Sequence, residues 1–484
     1  MNKLYKVVLN KPIIQWVDSV ALEANLDNNY YLPKYLETRE HLWNSGLEIK
    51  TLSTLVNNEG FVTGSTPDYK EKEIKDGAVL LKTVNIERNE LNTSKLFYIS
   101  KENHGKLKKS QLNKGDLVIT VIGATDEVIG RAIVYDGRFK NANITQSLAK
   151  FRVREQFDGY FVSTFLNSKY GHNLILQMSS SSTRRYVNNT ELGQILVPIP
   201  SNEIQNYIGN KVRKAEELRE EAKRLKEEAE EILFNELRIK ELEHLLMEQN
   251  KKYNWVEETA LTERIDAYYY KAKYTILDKF ISQFEYVITK KIADVEYGYM
   301  PQEDYTEVDS GIPIIRITNM PGNLLIDSSD IKHIPVNEKI KDRHFVREND
   351  ILMVQLGDTT GKVAYVSKEF DGYLFPSFCL KISLKDTNKV LPGYLALLYE
   401  SKIMQLQIEQ TISYASVRPN TTKPAIESLK IPIVEMSKQK EIADRILNYI
   451  KHIYESKHLI IEAKQDVEDL IEGKFDESKI SEGV

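Results

Sequence analysis

The feature that most constrains this 484-residue chain is that it contains the same pattern twice. Leu26-Asp27-Asn28-Asn29-Tyr30-Tyr31 with Lys34-Tyr35 returns as Ile265-Asp266-Ala267-Tyr268-Tyr269-Tyr270 with Lys273-Tyr274. Gly77 to Asn85 (GAVLLKTVN) returns as Gly311 to Asn319 (GIPIIRITN). Gly115-Asp116-Leu117-Val118-Ile119 parallels Asn349-Asp350-Ile351-Leu352-Met353, and Gly159-Tyr160 parallels Gly393-Tyr394. Leu196-Val197-Pro198-Ile199-Pro200 parallels Lys430-Ile431-Pro432-Ile433-Val434. Matches in one order at nearly one spacing mean two whole domains of a single fold, since the period is far too long for a solenoid repeat.

Each copy reads mostly as strand. Ala78 to Val84, Leu117 to Ile122, Ile312 to Ile317 and Ile351 to Val354 are short apolar runs bounded by Gly or Asn. Asp136-Gly137 and Asp371-Gly372 follow further runs and favour tight turns. A helical stretch follows in each copy, near Gly159–Gln177 and Pro392–Gln410. Cys379, between Phe378 and Leu380, is expected in a core. A single cysteine excludes a disulfide framework and a cysteine-based zinc site, and the scattered histidines support no other metal site.

Between and after the copies the texture changes. Ala215, Leu218, Ala222, Leu225, Ala229 and Ile232 recur at alternating steps of three and four among Glu, Lys and Arg. Ile446, Ile450, Ile453, Ile460, Val467 and Ile471 repeat the device in the tail. Such stripes suit a coiled-coil seam. Packing of each helix on its own domain is the alternative, but a narrow stripe fits a helix partner better than a sheet. The first helix must leave domain one and the second must return from domain two, so paired helices run antiparallel. The expected fold class is therefore α+β: two similar β-rich domains and two long helices forming an antiparallel coiled coil. The expected segments are a first domain at 1–200, a central helix at 201–252, a second domain at 253–436 and a C-terminal helix at 437–484.

This order resembles that of the specificity subunits of type I restriction–modification systems. Gly64-Ser65-Thr66-Pro67 followed by Lys82-Thr83-Val84-Asn85-Ile86 looks like the family's way into a recognition domain. Gly357-Asp358-Thr359-Thr360-Gly361-Lys362-Val363-Ala364 resembles its Gly-rich turn. Ile431-Pro432-Ile433 before Gln439-Lys440-Glu441-Ile442-Ala443 resembles its proline-rich way out, with a weaker copy at Val197-Pro198-Ile199-Pro200 before Gln205. The first copy departs at the Gly-rich turn, where Gly123 to Gly130 is three residues longer. The resemblance implies two target-recognition domains, each reading one part of a split target on double-stranded DNA. It implies a helical spacer that docks two methyltransferase subunits, with S-adenosylmethionine and the chemistry on those partners. A restriction subunit can join such a complex. No cofactor is expected on this chain.

The catalytic alternatives are weaker. Gly357 to Lys362 is one residue short of a P-loop, with Val363 where Ser or Thr should stand. Pro67-Asp68 with Glu73 and Lys75 superficially looks like a nuclease cluster, but the second copy offers Pro301-Gln302-Glu303-Asp304 instead. No Asn-Pro-Pro-Tyr-like segment and no GxSxG occur. Remaining rivals are a protein-binding adaptor with duplicated modules on a coiled coil, and a nicking or methylating enzyme with a hidden site.

The candidate DNA contacts are two matching polar, acid-poor loops. In the first copy they are Ser182, Thr183, Arg184, Arg185, Tyr186, Asn188 and Asn189. In the second they are Ser413, Tyr414, Ser416, Arg418, Asn420, Thr421, Thr422 and Lys423. Arg can read guanine edges bidentately, Asn can read adenine, and Ser or Thr can hold phosphates. A plain exposed loop is the competing reading. Lys106, Lys108, Lys109, Lys341 and Arg343 suit phosphate contact or a solvated surface equally well. The net charge of −5 means that DNA contact needs local basic clusters or a partner's charge. The Tyr-rich segments at Asp27 and Asp266 are expected to close the core, with the Asp capping a turn. No apolar run approaches the roughly 20 residues of a membrane span, and Met1 to Asn10 lacks a signal-peptide pattern, so the expected location is the cytoplasm.

Overall fold

The run Leu117-Val118-Ile119-Thr120 forms a strand in which every residue is buried. Side chains alternate across a strand, so such a run needs cover on both faces. Leu117 and Ile119 join one core cluster and Val118 another. The matching strand Ile351–Val354 divides the same way, with Ile351 and Met353 in one cluster and Leu352 and Val354 in a second. The computed structural model describes residues 28–482, other than 182–183, 248–253, 257, 259–260, 262–263, 265, 303, 307–310, 338 and 414–417. It divides into two compact units. Unit 1 is Met1–Leu218 with Glu455–Val484, and unit 2 is Arg219–Tyr454.

Unit 1 is built on a four-stranded antiparallel sheet in the order Val62–Thr63, Leu148–Phe151, Leu117–Thr120, Ala132–Val134. Ala78–Leu81 pairs parallel with Ala142–Ile144 and antiparallel with Tyr98–Ile99 in a second sheet. Glu48–Thr51 and Leu196–Ile199 clasp the start of the domain to its end. Unit 2 repeats the plan. Its four-stranded sheet runs Ala293–Tyr297, Cys379–Leu384, Ile351–Val354, Val363–Tyr365, and Tyr286–Ile288 clasps Lys430–Pro432. The expected turns are present, with Gly137 at φ 84° and Gly372 at φ 81°. Cys379 is buried and its thiol pKa is pushed up by that burial to about 12.

The expected helical stretch of each copy is two helices. Gly159–Asn167 and Lys169–Met178 break at Ser168, whose hydroxyl accepts from Gly171 N. Pro392–Glu400 and Lys402–Thr411 break at Ser401, which caps the second helix in the same way through Met404 N. A capping serine offers the backbone a partner outside the helix, so it interrupts the stretch. In unit 2 the carboxylate of Asp266 accepts from Tyr269 N at 3.1 Å, the turn-capping role expected of it; Asp27 lies outside the described residues.

The long helices are Asn202–Glu236 and Met436–Ile471. The central segment does not continue as one helix to 252. Arg238 stands at φ 49° and a separate helix follows at Ile239–Met247. The Arg238 guanidinium lies 4.8 Å from the Phe284 ring, which ties this corner to unit 2. The helices pair with each other and also pack on the domains, so the two expected alternatives hold together. In unit 1, Ile208, Val212 and Ala215 share a core with Ile460, Ala463 and Val467. In unit 2, Ala222, Ala229 and Leu233 share one with Ile442, Ile446 and Ile450. Within unit 1 Lys211 meets Asp466 at 2.6 Å, and within unit 2 Glu228 meets Arg445 at 3.1 Å. Within unit 1 Tyr207 meets Phe475 and Lys211 meets Asp466, and within unit 2 Lys226 meets Tyr449 and Glu228 meets Arg445, so in each unit the pairing is antiparallel. The compact units therefore differ from the four segments read from the sequence. Each globule takes the adjoining part of both helices into its core, because their stripes are wide enough to meet a helix and a domain together.

Candidate nucleic-acid interface

The central strand of unit 1 runs on past Thr120, and its continuation carries the polar loop. Val187 N donates to Val121 O, and Ile122–Gly123 pairs with Arg185–Tyr186. Ser180–Ser181 completes a hairpin against Arg185–Tyr186. Of the candidates that follow Ser181, Ser182 and Thr183 lie outside the described residues and Arg184 is exposed. Tyr186 is also exposed. Arg185 is already engaged. Its Nε donates to Asp126 Oδ1 at 2.8 Å, and its Nη1 to the Ser179 hydroxyl at 3.4 Å. That guanidinium holds the Asp126 carboxyl below the usual carboxylate range.

Asn188 and Asn189 are occupied within the unit. Asn188 caps the short helix Asn189–Gly193, accepting from Thr190 N and Glu191 N while Glu191 reaches back to its backbone. This is a capping box. Asn189 donates to Phe61 O at 3.2 Å and accepts from the Thr63 hydroxyl at 3.1 Å. It thereby fastens the hairpin's base to the start of the domain.

Unit 2 places the second loop equivalently. Ser413 and Asn420 form an antiparallel bridge, and Asn420 bridges Leu356 on the continuation of the central strand. Tyr414 and Ser416 lie outside the described residues, while Arg418 is exposed next to them. The described part of the loop is pinned through its backbone and through Lys423. Gly357 N donates to Pro419 O at 2.9 Å, and the Thr360 hydroxyl donates to the same oxygen at 3.4 Å. Thr421 is buried, with its hydroxyl 2.6 Å from that of Thr411. Thr422 caps the helix Lys423–Glu427. The Lys423 ammonium lies 3.4 Å from Glu296, and its backbone N donates to the Tyr297 hydroxyl.

The structure thus sorts the expected residues. Arg184, Tyr186, Ser413 and Arg418 face solvent on the two loops. Arg185, Asn188, Asn189, Thr421, Thr422 and Lys423 hold those loops in shape. Arg184 and Arg418 stand one full repeat apart, as do the caps Asn188 and Thr422. Elsewhere, Lys106 pairs with Glu102, and Lys108, Lys109, Lys341 and Arg343 are exposed. Composition gave no hint of two further participants. Asp126, in the longer Gly-rich turn, holds Arg185, although the difference in turn length was itself a signal. The segment Gly64–Pro67 reaches the loop through residues 146–148: Gly64 N donates to Leu148 O, the Thr66 hydroxyl accepts from Gln146 N, and Ser147 O accepts from Ile122 N on the strand that carries the loop.

Residues 44–231 and 281–465 each match the family described as the type I restriction modification DNA specificity domain. The chain belongs to that family. Membership carries a role in DNA specificity. A curated relative is the type I restriction enzyme EcoBI specificity subunit of Escherichia coli, 31% identical over 147 residues. That match covers 30% of this chain and 29% of the relative, so the chain spans under a third of that relative's length. Among solved structures, the S subunit of a type I system from M. genitalium is 14% identical, covering 89% of this chain and 97% of that one at a TM-score of 0.47. The HsdS subunit from Thermoanaerobacter tengcongensis is 13% identical, covering 89% and 96% at 0.26. Among the described residues no helix is long and apolar enough to cross a membrane.

Proposed function

We propose that this specificity subunit reads a bipartite target on double-stranded DNA, one part through the loop of each unit. It docks two methyltransferase subunits, which supply S-adenosylmethionine and the methyl transfer, and the chain itself performs no catalysis in the cytoplasm. The observation that carries this reading is the duplicated device: a loop stapled to the continuation of a buried central strand, with Arg184 in one copy and Arg418 at the same place in the other. An exposed arginine beside a loop stapled to the sheet suits the bidentate reading of a base edge, and the neighbouring hydroxyls suit phosphates. A restriction subunit joining the complex is compatible with this role.

Co-expression with a cognate methyltransferase, followed by methylome sequencing, tests the proposal. The expected result is a split motif that disappears when this chain is omitted. A methyltransferase that modifies the same motif without it would overturn the reading, as would methyl transfer by the isolated chain.

A further inference from the structure

Positions one repeat apart on the rim of the two loops have opposite chemistry. In unit 1 the rim is polar: Thr63, Ser65 and Thr66 are exposed, and so is Gln146, with Ser147 half-buried beside it. In unit 2 the positions of Thr63, Thr66 and Ser147 are taken by Tyr297, Met300 and Phe378, which are 42%, 61% and 43% exposed. The correspondence is structural as well as numerical. Gly64 packs on Ile144 O and Gly298 on Phe375 O, so closely that a Cβ would stand 2.1 Å and 2.4 Å away.

Backbone hydrogen bonds join this apolar group to the unit 2 loop. Ser377 N donates to Tyr299 O at 2.8 Å, linking the strand of Met300 to that of Phe378. Gln355 N donates to Phe378 O at 2.9 Å, and Gln355 O accepts from Thr421 N at 3.0 Å. The Tyr297 hydroxyl accepts from Lys423 N at 3.1 Å. The group is therefore continuous with the surface that carries Arg418. Three side chains framed by polar loop residues are far fewer than the roughly 20–30 residues a side of an ordinary protein interface.

We infer that Tyr297, Met300 and Phe378 form an apolar contact for the bases of the second half-site, at positions where unit 1 carries Thr63, Thr66 and Ser147. Apolar side chains at a DNA surface meet two apolar features of bases: the thymine methyl group and the face of a base at an unstacked step. At these three positions the two halves would then discriminate by different chemistry, hydrogen bonding in unit 1 and apolar contact in unit 2. This inference rests on the DNA-reading role proposed above.

The test replaces unit 2 residues with their unit 1 counterparts, in the complex with the methyltransferase: Met300→Thr with Phe378→Ser, and separately Tyr297→Thr. The double variant should bind the target roughly 10–100-fold more weakly, the amount expected for losing one or two buried apolar side chains. Its loss should leave the salt dependence unchanged, since no phosphate contact is removed. Its methylome should show a relaxed second half-site and an intact first one, which also reports that the chain is folded. On the wild type, deoxyuridine in place of thymidine in the second half-site separates the methyl contact, and 2-aminopurine fluorescence there separates unstacking; one of the two must respond. A shallower salt slope, equal loss at both half-sites, or no response of either base probe would overturn the inference. So would unchanged DNA affinity with a lowered yield of methyltransferase complex, which would assign the group to protein contact. Absence of any motif with the wild-type chain would instead defeat the DNA-reading role itself.

Discussion

The two units are nearly the same inside and different outside. Asn85 accepts from Lys82 N and donates to Asn92 O and Lys95 O; Asn319 accepts from Arg316 N and donates to Asp327 O and Asp330 O. Gln205 spans Pro200 O and Asp158 N, and Gln439 spans Val434 O and Leu391 N. These buried amides are positioned so that the backbone groups they serve are not left unpaired, which would cost about 1–3 kcal/mol each. The loop surfaces have no such restraint. In one, Asp126 holds the arginine Arg185; in the other, Gly357 N holds the carbonyl of Pro419, and Thr63, Thr66 and Ser147 of one rim stand where the other has Tyr297, Met300 and Phe378. A duplicated domain can therefore keep its scaffold while its two reading surfaces drift apart.

The largest test separates scaffold from reading surface. A heptad inserted after Leu218, matched by one before Glu455, falls at the junction of the units and keeps the seam in phase. It adds about 10 Å of helix, so the unread gap in the methylated motif should grow by about three base pairs. Both half-site sequences should persist and the original spacing should be lost; a changed half-site would show that the helices also shape the loops.

The buried acid of each unit sharpens the comparison. Asp116 accepts from Lys150 at 3.0 Å and from Arg152 at 2.8 Å, with the Asp116 and Lys150 side chains both under 10% exposed. In unit 2, Asp350 stands 3.9 Å from Lys381; burial raises the acid's pKa and lowers the lysine's. Asp116→Ala should destabilise unit 1 by about 3–5 kcal/mol in denaturant melts. Asp350→Ala should cost unit 2 less, about 1–3 kcal/mol. Equal losses would contradict the geometric difference.

Acid should also act on unit 1 through His172, a place where unit 2 has no titratable group. His172 is pushed down to about 4 by burial, reinforced by Arg88. Its place in unit 2 is taken by Gln405, which donates to Gly361 O and Tyr399 O and does not titrate. Below its ordinary pKa the unfolded chain binds the proton that the folded imidazole refuses. Stability is therefore present above about pH 6.5 and falls towards pH 4, by up to about 3 kcal/mol. His172→Gln should flatten the unit 1 profile and leave unit 2 unmoved in pH-resolved hydrogen exchange.

Smaller effects distinguish the loops. Arg418→Ala should weaken recognition of one half-site by roughly 1–3 kcal/mol and Arg184→Ala that of the other; uniform loss over all sequences would make them phosphate contacts. Asp126→Asn releases Arg185 at a stability cost of about 0–1 kcal/mol, as for a partly exposed pair. It should steepen the salt dependence of binding by about one phosphate contact and broaden only the first half-site. A binding titration in salt that matches the wild type would mean Arg185 stays off the DNA even when freed.

Much of this was legible in the chain. The strands Ala78–Leu81, Leu117–Thr120 and Ile351–Val354 lie within the apolar runs, and the helix seams fall on the expected alanines and isoleucines. The helix break at Ser168 had a local signal in its capping serine. The loops were legible as places but not as arrangements. That Asn188 caps a helix follows from local sequence, Asn-x-x-Glu. That Arg185 is held by Asp126, 59 residues away, does not. The Tyr297, Met300 and Phe378 group was invisible because its members come from two segments about 80 residues apart in the chain, joined by sheet pairing and the Ser377–Tyr299 hydrogen bond.

Unit 1 has one further property. Its core contains Ile460, Ala463, Val467, Leu470 and Ile471, yet residues 219–454 lie between these and the rest of the unit. At ~5–20 residues per second, a ribosome needs roughly 10–50 s to make that interval. For that time the first unit waits incomplete, with the apolar side of its share of the central helix uncovered, while the second can close ahead of it. The part of the chain synthesised first is thus among the last to be finished.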